Sequence, residues 1–153
     1  RKLIAAGSCF AEGEEVIDYG FVERWILGLE EKYGVEVMQV GYDRYNAIST
    51  VQKLEANSME CVEVKQHSSV LHPPTKLLRE AILKKEFAYD ENRLLEINFQ
   101  NAGCTEDTNL NKYVNKKRSA GKVDMVVSTI IAVYLMQQAM LDNSELDWGI
   151  QVI

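Results

Sequence analysis

Apolar residues in this chain recur at two spacings, and the places where one spacing gives way to the other outline its elements. Phe21, Val22, Trp25, Ile26 and Leu29 fall at i, i+1, i+4, i+5 and i+8, one face of an amphipathic helix. Asp18 stands before them as the predicted N-cap, its carboxylate taking a backbone N–H that the first turn leaves without a partner. Gly34 is the expected left-handed stop. Residues 35–42 then read as a strand that ends at Asp43. Ile48, Val51 and Leu54 predict a second helix over residues 45–56, and residues 59–64 alternate as a second strand. Helix, strand, helix, strand within about 50 residues is the order of an α/β domain with a largely parallel sheet.

The flanking segments are less regular. Residues 1–11 hold a short apolar run and a turn at Gly7-Ser8, and are expected to be strand or extended; Glu12-Gly13-Glu14-Glu15 reads as a loop. Pro73-Pro74 predicts a turn ahead of a helix over residues 75–85, with Leu77, Leu78, Ile82 and Leu83 on its buried side. Residues 93–102 fit strand or helix equally, through Leu94, Leu95, Ile97 and Phe99. The polar stretch 103–121 reads as a loop or short hairpin. Residues 123–141 form a helix that is apolar nearly all round, so both its sides have to be covered. Residues 142–153 read as a tail, with Trp148 as a docking anchor.

Composition narrows the class. A chain of 153 residues, 46% apolar and 26% charged, suits a single domain with a real core. The formal charge of −6 argues against a generally adhesive nucleic-acid binder, yet the charge is unevenly spread. Glu12, Glu14, Glu15, Asp18, Glu23, Glu30, Glu31 and Glu36 crowd the front, whereas Lys112, Lys116, Lys117, Arg118 and Lys122 form a run free of acids. The three cysteines, Cys9, Cys61 and Cys104, are far apart and form no CxxC pair, which points away from a disulfide framework or a zinc site and towards a reducing cytoplasm. Residues 125–141 lack charge for 17 positions but include Ser128, Thr129, Gln137 and Gln138. They fall short of the ~20 predominantly apolar residues of a membrane span, so a core helix and no membrane partner are expected. No signal-peptide pattern is visible, and a chain that opens on Arg1 is read as processed or excised from a longer polypeptide.

Two aspartates carry the candidate chemistry. Functional groups in open α/β sheets gather beyond the carboxyl ends of the strands, where Asp43 falls; Asp124 opens the apolar helix directly after the basic run. Hard divalent cations take oxygen ligands and are commonly held by one or two carboxylates plus phosphate and water. Two such ions about 4 Å apart activate a water and stabilise the leaving oxygen in phosphodiester cleavage. The basic run would offset phosphate charge. Each piece also has a plainer reading. Asp124 suits a helix cap, Asp43 a turn, and the basic run a solvated loop. His67 and His72 lack spaced ligand partners, Ser68 and Ser69 lack a nucleophile elbow, and Cys104 lacks an activating base.

The order of short motifs is more specific than any one of them. Val16-Ile17-Asp18-Tyr19 leads into a helix, followed by Val40-Gly41-Tyr42-Asp43-Arg44-Tyr45-Asn46-Ala47. Pro74-Thr75-Lys76-Leu77-Leu78-Arg79-Glu80, Asn98-Phe99-Gln100-Asn101-Ala102 and Lys116-Lys117-Arg118-Ser119 come next, and Lys122-Val123-Asp124 closes the series. This succession, over residues 11–140, resembles the C-terminal nuclease domain of the large terminase subunit of tailed bacteriophages. The resemblance implies a ribonuclease H-like fold, a central mixed sheet flanked by helices, and an endonuclease that uses Mg²⁺ or Mn²⁺ to cut concatemeric viral DNA during packaging. It implies double-stranded DNA, an ATPase domain in the same polypeptide, the portal and the small terminase subunit as partners, and the cytoplasm of the bacterial host as the location.

By position, the resemblance makes Asp43 the second and Asp124 the third active-site aspartate and metal ligand. Lys116, Lys117, Arg118 and Lys122 match the basic segment that contacts DNA, and Asn101 matches a supporting Asn. The family's first aspartate lies on a strand upstream of this segment. The chain is therefore expected to lack the first strands and, by itself, full two-metal cleavage. With no GxxxxGK[ST] motif, it holds no ATPase half. Two other readings compete: another ribonuclease H-like nuclease such as a resolvase or transposase, and a non-catalytic DNA or assembly module whose aspartates are structural.

Overall fold

The computed structural model describes residues 1–12, 15–45 and 47–142; Asn46 and the tail 143–153, with Trp148, lie outside the described residues. In chain order the elements are α1 (Lys2–Ala5), α2 (Tyr19–Leu27), α3 (Leu29–Tyr33), β1 (Val40–Tyr42), α4 (Ile48–Ala56), β2 (Cys61–Glu63), α5 (Ser68–Lys84), α6 (Arg93–Asn101), β3 (Cys104–Glu106), β4 (Lys112–Val114) and α7 (Asp124–Asp142). They divide into two compact units, residues 10–65 and residues 1–9 with 66 onwards.

In the unit of residues 10–65, Asp18 caps α2 as its sequence position requires, Oδ1 accepting the Gly20 N–H at 2.8 Å. Gly28 separates α2 from α3, and Gly34 closes α3 in the left-handed region at φ 66°. A β-carbon there would strain the backbone, which is why the stop is a glycine. β1 and β2 pair in parallel, with Val40 opposite Cys61 and Tyr42 opposite Glu63. Of the strand expected over residues 35–42, only the last three pair, because β2 offers no more partner than Cys61–Glu63. α4 packs on α2, and the buried Glu23 carboxylate between them accepts from Lys53 Nζ at 3.0 Å and Thr50 Oγ1 at 3.2 Å. Such partners offset the cost of taking a carboxylate out of water.

The other unit departs from expectation in two places. Residues 2–5 are helical rather than extended: Gly7 and Ser8 turn back to the carbonyls of Ile4 and Leu3, with Gly7 at φ 72°. An apolar run this short carries no period with which to choose between the two. α5 begins seven residues earlier than expected and holds Pro73 and Pro74 inside it. The prolines remove the N–H groups that would bond the Ser69 and Val70 carbonyls. The helix persists through tertiary packing, since Leu71, Pro74, Thr75, Leu78 and Ala81 form its buried stripe. Ile82 and Leu83, expected inside, are exposed.

Residues 93–101 resolve as helix, α6, because Asn92 caps it, Oδ1 accepting from the N–H groups of Leu94 and Leu95. β3 and β4 form an antiparallel hairpin. Asp107 organises its tip, accepting from Asn109 N at 2.8 Å and Asn111 N at 3.0 Å, and from Ser68 Oγ at the start of α5 at 2.6 Å. Those donors, the Ser68 hydroxyl foremost, hold the Asp107 carboxyl far below the usual carboxylate range. α7 is buried on two faces, as its apolar circumference requires. Val126, Ile130 and Val133 lie about 150° round the axis from Ile131 and Leu135 at 100° per residue. Both α5 and α6 pack against this helix. By length and composition alone α7 would also suffice to cross a membrane. Among the described residues the strands form two pairs, β1–β2 and β3–β4, and do not by themselves make up the central sheet expected.

Candidate metal and nucleic-acid site

Asp43 follows β1 immediately, at the carboxyl end of the parallel pair, with its side chain exposed. Its Oδ1 accepts the Tyr45 N–H at a long 3.3 Å. That weak Asx turn is the plainer role expected for it, and the contact is too long to occupy the carboxylate fully. Asp43 belongs to the unit of residues 10–65 and Asp124 to the other.

Asp124 is the first residue of α7, in the turn where the helix dipole favours negative charge. Its Oδ1 accepts from Lys116 Nζ at 2.8 Å. That hydrogen bond above all, helped by the charges of Lys116 and Lys122 and opposed by partial burial, lowers its pKa. The group is thus an ionised, largely exposed hard-oxygen donor, and a cation already sits against it.

Neighbouring residues fix where this carboxylate stands. Asn98 of α6, only 3% exposed, donates from Nδ2 to the Leu94 carbonyl at 2.9 Å and accepts the Met125 N–H on Oδ1 at 3.2 Å. It thereby satisfies one of the first-turn donors of α7. One turn along, Asn101 Nδ2 donates to the Lys122 carbonyl at 3.2 Å. Gly121 passes so close that a β-carbon would lie 2.7 Å from that nitrogen. Asn101, expected as a support, thus touches the residue two before Asp124. Asn98 was missed as a support; its signal was a polar residue flanked by Leu94, Leu95 and Ile97 in a helix that buries its neighbours.

The basic loop is strapped down by its polar backbone partners rather than by its cations. Asn115 N donates to the Gly103 carbonyl at 2.9 Å, Ser119 Oγ accepts from Gly103 N at 3.0 Å, and Asn115 Oδ1 accepts from Lys117 N at 2.9 Å. Gly103 has no room for a β-carbon, which would meet the Arg118 carbonyl oxygen at 2.5 Å. The side chains of Lys116, Lys117, Arg118 and Lys122 stay exposed. The remaining candidates have structural roles. His67 caps α5, His72 accepts from the hairpin backbone, and Ser68 donates to Asp107. Burial raises the Cys61 thiol, which leaves it less nucleophilic.

Among the described residues no group of three or more His, Cys, Asp or Glu side chains is placed to hold a metal ion. Aspartate carboxylates such as those of Asp43 and Asp124 are hard oxygen donors of the kind that Mg²⁺ and Mn²⁺ take, with phosphate and water, in preference to sulfur or imidazole. An ionised aspartate beside a cationic loop could serve a phosphodiester substrate. Comparison with protein families makes this specific. Residues 6–140 match the terminase large subunit, endonuclease domain, and the chain belongs to that family. The match runs through both units and includes Asp43 and Asp124.

Among solved structures, the chain is similar to the large terminase of bacteriophage HK97, with a TM-score of 0.76 and 18% identity over 88% of this chain. It spans 28% of that protein's length, and at this identity the likeness speaks for the fold. Comparison with curated protein sequences gives no match.

Proposed function

We propose that this chain carries most of the metal-dependent endonuclease of a phage terminase large subunit, which cuts concatemeric viral DNA during packaging in the host cytoplasm. Family membership over residues 6–140 supports the nuclease role. The observation that carries the residue assignment is Asp124, an ionised carboxylate on the first turn of α7 with the exposed cations of the 116–122 loop beside it. Asp43 and Asp124 hold Mg²⁺ or Mn²⁺ in this reading. The ions, once bound, supply an activated water and stabilise the leaving oxygen.

The chain's own groups do the rest. Asn98 and Asn101 keep the start of α7 in place. Lys117, Arg118 and Lys122 draw the phosphodiester in, each such contact releasing counterions. Lys116 balances Asp124 until a stronger cation displaces it. In the intact subunit, further strands complete a ribonuclease H-like central sheet around β1–β2 as one nuclease domain. The ATPase domain of the same polypeptide, the portal and the small terminase subunit are the partners.

A plasmid-cleavage assay with Mn²⁺ tests this. The intact subunit is expected to cut, and Asp43→Asn and Asp124→Asn to remove cutting while leaving the fold intact. Undiminished cleavage by either variant sinks the assignment. This chain is expected to be inert beside one extended upstream. The resolvase-type reading would instead require a preference for branched junctions over linear duplex.

A further inference from the structure

The β3–β4 hairpin packs against α5, and a cavity of about 660 Å³ lies at the join. His72, Thr75, Lys76 and Arg79 line it from α5, at i, i+3, i+4 and i+7, which places all four on one helix face. Lys112 and its cross-strand neighbour Glu106 line it from the hairpin. Three permanent cations against one carboxylate make this a positive site on a chain whose net charge is −6. The carboxylate is already engaged, since Glu106 pairs with Lys112 at 3.2 Å. Lys76 reaches Glu80 only at 3.9 Å, and among the described residues Arg79 has no ion pair.

Two further groups have hydrogens to give. His72 Nδ1 lies 2.9 Å from the Lys112 backbone N–H and 3.2 Å from the Lys112 carbonyl oxygen; in the tautomer that accepts the shorter bond, Nε2 carries the hydrogen and is a donor. Thr75 is only 8% exposed, and its hydroxyl is the one buried side-chain polar atom without a partner among the described residues. Buried hydroxyls are nearly always satisfied, and because Thr75 lines this cavity, a side-chain rotation would let its hydroxyl reach an acceptor seated there. Donors therefore outnumber acceptors around one space, and an arginine fork with lysines beside it is the usual means of holding a phosphate.

We propose that this cavity binds a phosphate group, and that the group comes from the DNA backbone, which gives the nuclease a second hold on the duplex besides the 116–122 loop. The phosphate chemistry stands on the cavity; its source in DNA rests on the endonuclease reading above.

The test titrates the labelled chain with inorganic phosphate and, separately, with a short DNA duplex, following the His72 and Arg79 side-chain resonances. Both ligands are expected to shift these signals saturably, and Lys76→Ala combined with Arg79→Ala to abolish the response; both residues are exposed, so the fold should survive. Thr75→Val should fold at least as well as the parent and bind phosphate several-fold more weakly. The double variant should also flatten the slope of log affinity against log salt for duplex by about 1–2, at roughly one per phosphate contact. Silence of both resonances towards both ligands overturns the proposal. A response to inorganic phosphate with an unchanged duplex slope overturns the DNA source. Lys117→Ala with Arg118→Ala separates the two readings: if it leaves duplex affinity untouched while the cavity variant lowers it, the loop assignment fails and the cavity stands.

Discussion

Replacing Asn98 by alanine tests whether α6 sets the start of α7, and with it Asp124. The amide is 3% exposed and makes one bond to each helix. The Leu94 carbonyl keeps its place in the α6 ladder, so losing the Nδ2 bond costs about 0.5–1 kcal/mol. The Met125 N–H has no partner within its own helix, and stranding it costs about 1–3 kcal/mol. The expected loss is about 1.5–4 kcal/mol. Urea unfolding with an unchanged m-value measures it, and hydrogen exchange at the Met125 amide should quicken in step. Asn98→Asp retains an acceptor for Met125, so that amide should stay protected even though burying a carboxylate lowers global stability. A change below about 0.5 kcal/mol, the size of an ordinary surface substitution, with Met125 still protected, would refute this reasoning.

The other expectations are more local. Gly103→Ala drives a β-carbon onto the Arg118 carbonyl oxygen and should cost about 1–3 kcal/mol, as overpacking does, while disordering the amide signals of the 115–119 loop. Lys116→Met removes the ammonium that competes for Asp124 Oδ1; Mn²⁺ binding followed by calorimetry should tighten, and the Asp124 carboxyl should titrate higher by carbon NMR. Asp107 has a folded pKa depressed chiefly by the Ser68 hydroxyl, so its contribution to stability is complete above the unfolded value of about 4 and is lost only as pH falls through the lower folded value. The Asn109 and Asn111 amides should accordingly remain protected at about pH 3, and Ser68→Ala should shift their loss of protection to higher pH.

What could be read from the sequence was whatever depends on near neighbours. The Asp18 cap, the Gly34 stop, the position of Asp43 after β1 and the double-sided burial of α7 all follow from residues within a turn or two. Pro73 and Pro74 misled because propensity argues for a break there, whereas burial of Leu71, Pro74, Thr75 and Leu78 holds the helix through them. Residues 93–101 were ambiguous by period and were settled by the Asn92 cap, a side chain whose geometry is invisible in a string of letters. Of the site, the motif order singled out Asp43, Asp124, Asn101 and the basic run. The contacts of Asn98 with Met125 and of Lys116 with Asp124 span 27 and 8 residues, and no local pattern announces them. The cavity beside Thr75 depends on the hairpin meeting α5, a tertiary event with no sequence period at all.

Asp43 and Asp124 are both proposed to bind the divalent cation. Paramagnetic broadening of backbone amides by Mn²⁺ tests it most directly, with the isotope-labelled chain at sub-stoichiometric metal. The amides at Asp43–Tyr45 and at Asp124–Met125 are expected to broaden together, and either Asp43→Asn or Asp124→Asn to weaken the effect at both. Broadening confined to one of the two positions, or unaffected by the substitutions, would contradict it.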